Sequence, residues 1–415
     1  MVSKPDNRDD GDRCSGEQPA PATPMSPRRL NWLEGELARW QQAGLIDKPA
    51  AQRIAASYVA STRIEAVRLF LYLGAALCGV GVIWLVAANL DIHAVSPLAR
   101  FAALALVWLG LVATAEACVE CRGGRFAALG GPLRLLALLA YGGTVFQAAQ
   151  SLQVPAYEPS LLATWAFGGL AYIYATRAAA GLVLAVATLV GWYVWALLDG
   201  GGQGPAVVLA LALTVPIAAG IAALHDDGPL ARLAGPWRAA AALLALGALF
   251  AAALPGVAHG HLGAPLPIAL GGLVGVAIGA LAIARRRESI PEVAGALIVA
   301  LAAGLLVAVA PEHYVSLFSS SERPAGGQIA YTLLAWATFL AAAVGVALTG
   351  VRHEARAPTD LAFGSLLIFV AVQSFGVLAT ILSGAGLLLA SGSLLFAVGV
   401  GLDRGRRRLL KEISQ

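Results

Sequence analysis

The chain has 415 residues, 59% of them hydrophobic and only 13% charged. Soluble globular proteins carry about 25% charged residues, so the composition excludes an ordinary soluble domain. A formal charge of +4 gives no case for nucleic-acid binding and is explained by arginines in loops.

Residues 1–27 are polar, hold several prolines and mix both charge signs. They lack the apolar content to bury a core and are expected to be a disordered cytosolic tail. No signal peptide is expected at such a polar start, and the first apolar segment should act as an uncleaved signal anchor. Residues 28–64 read as a cytosolic helical hairpin. Leu30, Leu33, Leu37 and Trp40 recur at helical spacing. Gly44 suits the left-handed end of that helix. Asp47 suits the cap of the next, and Pro49 is tolerated in its first turn. Ile54, Tyr58 and Val59 give the second helix an apolar face. With no Gly or Pro between Ala50 and Leu73, that helix is expected to continue toward the first membrane span.

From Val67 onward, apolar runs of about 20 residues recur, each long enough to cross a hydrocarbon core of about 30 Å as a helix. The alternating ten-residue segments of a barrel are absent. The fold class is therefore all-α: a polytopic transmembrane helical bundle over 65–403, followed by a basic cytosolic tail, 404–415. Twelve spans are expected, at 67–88, 98–119, 133–153, 159–176, 178–198, 205–224, 236–254, 265–284, 291–311, 329–350, 358–376 and 382–402. The connections at Arg177 and at Val377–Leu382 are short enough for a broken or re-entrant segment. With the N-terminus inside, the cytoplasmic loops collect Arg122, Arg125, Arg134, Arg177, Arg232, Arg238, Arg285, Arg286, Arg287, Arg352 and Arg356. The outer side holds Arg100 and Arg323. This asymmetry follows the positive-inside rule and places both termini in the cytoplasm.

Little in the sequence looks like chemistry. Of four cysteines (Cys14, Cys78, Cys118, Cys121), only Cys118 and Cys121 form a CxxC, and no second pair completes a zinc set. Glu116 and Glu120 share a helical face near the cytoplasmic interface, where Arg122 or Arg125 is the expected partner. His259 and His261, with Glu312, could meet a metal only if the fold united them. Gly271, Gly275 and Gly279 mark close helix packing. No HExxH, phosphate-binding lysine loop, GxSxG or dinucleotide fingerprint occurs. No catalytic residue, cofactor or metal site is assigned.

The remaining polar residues are amides and hydroxyls toward the outer leaflet. Asn89, Thr144, Gln147, Gln150 and Gln373 form a candidate polar cavity, with Gln147 the deepest of three glutamines in VFQAAQSLQVPAYE. A buried amide without a partner is costly in lipid. These groups either join helices to one another or line a pocket for a neutral or zwitterionic ligand.

Several stretches resemble a bacterial membrane-protein family, domain of unknown function 2157. They are LNWLEGELARWQQAGLID with the following Tyr58, then LVAANLD, GGTVFQAAQSLQ and LLATWAFGGLAYIYATRAAAG. Asn89, Gln150 and Trp165 match the family pattern, while Leu90 stands where tryptophan is expected. The resemblance covers 30–200. It implies a polytopic bacterial inner-membrane protein and no particular reaction.

The expected function is a non-enzymatic inner-membrane protein in contact with the lipid bilayer and with no nucleic-acid partner. Its hairpin face (Leu33, Leu37, Trp40, Ile54, Tyr58) would serve as hairpin core, or as contact for a cytosolic protein or a second copy. The alternative is a transporter or a lipid- or small-molecule-binding protein that uses the cavity near Gln147.

Overall fold

The computed structural model describes residues 23–25, 27–60, 71–81, 96–120, 129–155, 157–312, 326–353, 356–381, 392–393 and 401. They fall into two compact units that divide after Leu71. The fold is all-α apart from one short parallel strand pair.

In the first unit, α1 (Pro27–Gln42) and α2 (Lys48–Ala56) form the expected hairpin. Gly44 ends the first helix at φ +69°, and the Asp47 carboxylate accepts from the Ala50 N–H at 2.8 Å. Leu37 and Ala51 are buried, Leu33, Ile54 and Tyr58 are half-buried, and Trp40 is exposed. Two expectations need correction. The second helix does not continue toward the membrane. It stops at Ala56, where the Ser57 hydroxyl donates to the Arg53 carbonyl at 2.8 Å. The β-prone Tyr58–Ala60 (β2) then pairs in parallel with Thr23–Met25 (β1), so the end of the N-terminal tail is ordered.

The second unit is a bundle. Its helices are α3 (Leu71–Gly81), α4 (Pro97–Glu120), α5 (Gly130–Ser151), α6 (Pro159–Thr176), α7 (Leu182–Asp199), α8 (Gly204–Leu224), α9 (Ala231–Ala252), α10 (Pro265–Arg285), α11 (Ile290–Ala308), α12 (Gly326–Arg352) and α13 (Arg356–Ile381). Among the described residues, eight helices are long and apolar enough to cross a membrane: α4 and α7 through α13. The α5 and α6 helices, 22 and 18 residues long, have the length but are diluted by Gly, Tyr, Trp and amides. The first expected span is described only over 71–81. The twelfth lies almost wholly outside the described residues, and the count of twelve is not established.

Helices α8 and α9 occupy the centre. More than half of each is buried, against 6% of α4. Their Ala-rich sequences are apolar all round, the pattern of a helix enclosed by others. With no hydrophobic force between helices in lipid, close approach depends on small side chains. The α8–α10 crossing shows this. A methyl group at Gly275 would lie 3.0 Å from Pro216 Cγ, and one at Gly220 would lie 3.3 Å from the Gly279 nitrogen. The glycine stripe therefore packs helices, as its spacing indicated. Arg177, at φ +52°, turns α6 sharply through a single 3-10 turn (Ala179–Gly181) into α7, so those two segments are separate helices.

Candidate functional site

The amides were the first candidates. Gln147 is buried at 2% exposure, and Thr144 is buried beside it. Thr144 donates to the Ala140 carbonyl of its own helix. Gln147 Nε2 reaches Ser151 Oγ at 3.5 Å, and Ser151 Oγ lies 3.1 Å from the Pro97 carbonyl of α4. These groups are packed between helices. The Gln150 Oε1 is buried with no hydrogen-bond partner among the described residues. Gln153 takes φ +58° and ends α5, with the Val154 N–H donating to the Ala149 carbonyl at 2.8 Å. Helix α5 packs on α4 and α6, whereas α13 packs on α9 and α12. Gln373 thus hydrogen bonds elsewhere, to the Ala253 carbonyl at 3.4 Å. The proposed set does not converge on one cavity, and Asn89 lies outside the described residues.

A real cavity lies elsewhere, between α8, α9, α11 and α12. It is an elongated slot of about 350 Å³. On α9 it runs from Arg238 to Leu249, about 16 Å along the axis at 1.5 Å per residue. Its walls are mostly alanine, glycine and valine. Gly295 and Gly345 line it, and a methyl group added at either would meet nothing within 4 Å. They contrast with Gly275 and Gly220, which are filled to contact by a neighbour.

Charge gathers at one end of the slot. Arg238 Nε donates to Glu292 Oε1 at 3.0 Å, and Arg238 Nη2 donates to Glu292 Oε2 at 3.2 Å and to Asp226 Oδ2 at 2.5 Å. Arg238 and Glu292 side chains are only 10% and 12% exposed. His353 Nε2 stands 3.4 Å from Glu292 Oε2. Burial lowers the His353 pKa from its ordinary 6.5, and the nearby Arg238 charge adds to this, while Glu292 and Asp226 oppose it. Arg286 bridges Asp226 at 3.5 Å, Asp227 at 3.0 Å and Glu288 at 3.1 Å, and Arg352 donates to the Glu288 carbonyl. The C-terminal ends of α8, α10 and α12 are thereby tied to the N-terminal ends of α9 and α11.

A second ionic group sits at the same end. Glu116 on α4 pairs with Arg134 on α5 through both carboxylate oxygens and accepts from the Tyr172 hydroxyl of α6 at 2.9 Å. Among the described residues its partner is Arg134, while Arg122 and Arg125 lie outside them. Nearby, the Trp237 indole donates to the Tyr174 hydroxyl at 3.1 Å, and the Tyr174 ring lies tilted with its centroid 5.5 Å from that of His225.

At the opposite end, the HGH loop is held through its backbone. His261 accepts from the Gln203 N–H at 2.8 Å and donates to Gln203 Oε1 at 3.3 Å. Among the described residues, no three His, Cys, Asp or Glu side chains converge as metal ligands. Cys118 is half-buried, and Cys121 lies outside the described residues.

Gly142 faces the Trp165 indole, which leaves no room there for a methyl group, and Trp165 Nε1 donates to the Leu138 carbonyl at 2.9 Å. This α5–α6 contact joins two of the stretches that carry the family resemblance. Residues 38–182 match the model of the family described as Predicted membrane protein (DUF2157). The match covers the hairpin from the end of α1 and continues through α6. The slot, beyond residue 182, lies outside the matched region. No curated protein and no solved structure matches the chain.

Sequence reasoning missed the slot and its ionic end. A signal was present. Arg238, counted above with the cytoplasmic-loop arginines, falls just inside the span expected at 236–254, and Glu292 just inside the one at 291–311. Ionisable residues within spans mark sites by default.

Proposed function

We propose that this integral membrane protein is a non-enzymatic binder of an alkyl-chain ligand, held in the slot between α8, α9, α11 and α12. The carrying observation is the slot itself: about 350 Å³, half open, walled mostly by small apolar residues, with the Arg238–Glu292 pair in its lining. Its volume falls within the 300–1,000 Å³ of ligand pockets, and its length suits one extended alkyl chain better than a compact solute. The arginine-rich end is taken as cytoplasmic, by the positive-inside rule, with both termini inside a bacterial inner membrane.

The test is the lipid content of the purified chain. Wild type and Gly345→Leu are extracted from membranes, washed and analysed for bound amphiphiles by mass spectrometry. Wild type is expected to retain an alkyl-chain molecule that the filled variant loses. Equal retention by both removes the proposal.

A second reading concerns the hairpin. Trp32 and Leu45 are 57% and 72% exposed there, which favours contact with a cytosolic protein or a second copy. Trp32→Ser with Leu45→Ser should abolish cross-linking of the hairpin to that partner. Unchanged cross-linking counts against it.

A further inference from the structure

The slot has an open side, and what lies against that side decides what fills it; this inference rests on the slot reading above. The walls divide into a buried floor and an exposed rim. Val215 and Ala219 of α8, with Ala241, Ala245 and Leu249 of α9, form the floor and are buried. The rim is Gly295 and Ile298 on α11 and Ala341 and Gly345 on α12, all exposed. Both rim helices pack on α9. The mouth therefore runs between α11 and α12, with α8 and α9 behind it.

That mouth faces hydrocarbon. Both rim helices are long and apolar enough to cross a membrane. At 1.5 Å per residue, Ile298 lies about 12 Å from the start of α11 and Ala341 about 16 Å from the Arg352 end of α12. Those depths fall within a hydrocarbon core of about 30 Å. Beside the rim, Leu301 and Leu305 on α11 and Leu340, Val344 and Leu348 on α12 are large, apolar and exposed. On spanning helices such side chains meet lipid tails.

A gap open to hydrocarbon does not stay empty. Wall atoms without a partner forfeit their dispersion contacts, and lipid tails are the molecules at the mouth. Any other alkyl ligand must displace one of them. The open side also removes any need to thread. A two-chain lipid can lay one chain on the floor while its second chain and its head stay in the leaflet.

We infer that the slot's occupant is one acyl chain of a bilayer phospholipid, which enters sideways between α11 and α12. Gly295 and Gly345 keep the two lips of the mouth apart, since a side chain at either would project into open space.

The test uses the full chain in phosphatidylcholine vesicles. Two probes carry the same mid-chain diazirine: a two-chain phosphatidylcholine and hexadecanol. Labelling is read at single residues by mass spectrometry. Floor residues Ala241 and Ala245 are compared with Ala248, which is buried on the same helix but does not line the slot. The phosphatidylcholine probe is expected to label the floor at least tenfold more than Ala248. That labelling should fall at least tenfold in Gly295→Leu or in Gly345→Leu, which narrow the mouth from its two lips. Floor labelling by hexadecanol alone overturns the phospholipid and leaves the slot reading standing. A floor that neither probe labels overturns both. Phospholipid labelling that survives both variants overturns the sideways path. Should neither variant fold, the comparison of the two probes in wild type decides.

Discussion

Arg238 and Glu292 meet fork to fork, Nε to Oε1 at 3.0 Å and Nη2 to Oε2 at 3.2 Å, and this pair joins α9 to α11 across one end of the slot. Both side chains are almost enclosed. Removing one partner of a buried pair leaves an uncompensated charge, at a cost of about 3–5 kcal/mol. Arg238→Ala and Glu292→Ala should each destabilise by that order. Arg238→Met with Glu292→Leu should recover much of it. Thermal unfolding in vesicles measures all three, and single variants within about 1 kcal/mol of wild type would contradict the pairing.

The same carboxylate stands beside His353, which makes stability depend on pH. The folded-state pKa of His353 lies below its ordinary 6.5. Between those values the unfolded chain binds more protons, so stability rises with pH across the window. The contribution is complete above about 6.5 and is lost as pH falls through the window. Wild type should melt lower at pH 5.5 than at pH 7.5, and His353→Gln should narrow that difference. An unchanged difference in the variant assigns it to other groups.

Glycines divide into two kinds, and alanine should tell them apart. At Gly295 and Gly345 an added methyl meets open space. Alanine there should stabilise by about 0.5–1 kcal/mol through helix propensity. At Gly142 the methyl would enter the Trp165 indole, and at Gly275 it would crowd Pro216. Alanine at those two should destabilise by about 1–3 kcal/mol through overpacking. Melting temperatures that fail to split the four this way would refute the packing.

Glu116 is held by Arg134 and Tyr172. Tyr172→Phe removes one hydrogen bond to a charged group, worth about 1.5–3 kcal/mol. Glu116→Ala should cost more, since it strands Arg134. The order Tyr172→Phe milder than Glu116→Ala, read from unfolding midpoints, checks the arrangement.

How much of this was legible in the sequence depends on range. Local features were: Gly44 and Asp47 set the hairpin, and apolar runs set α4 through α13 to within a few residues. The end of α2 was not, because Ser57 bonding back to Arg53 and the pairing of Tyr58 with Thr23 carry no periodic signal. The amides were visible as unusual, yet their neighbours were not. Gln147 and Gln373 look alike in sequence, yet α5 packs on α4 and α6 whereas α13 packs on α9 and α12. The slot was least legible, since a cavity is made by side chains that are missing. Alanine and glycine read the same whether a neighbour fills the space, as at Gly275, or nothing does, as at Gly345.

The slot also has a mechanical consequence. An internal void is volume that unfolding eliminates, so hydrostatic pressure drives the chain toward the unfolded state in proportion to it. The slot, about 350 Å³ between α8, α9, α11 and α12, is such a volume, and that seam is where the described bundle yields to pressure. An occupant that fills the seam stiffens it. Pressure sensitivity therefore reports occupancy by volume alone, without knowledge of what the occupant is.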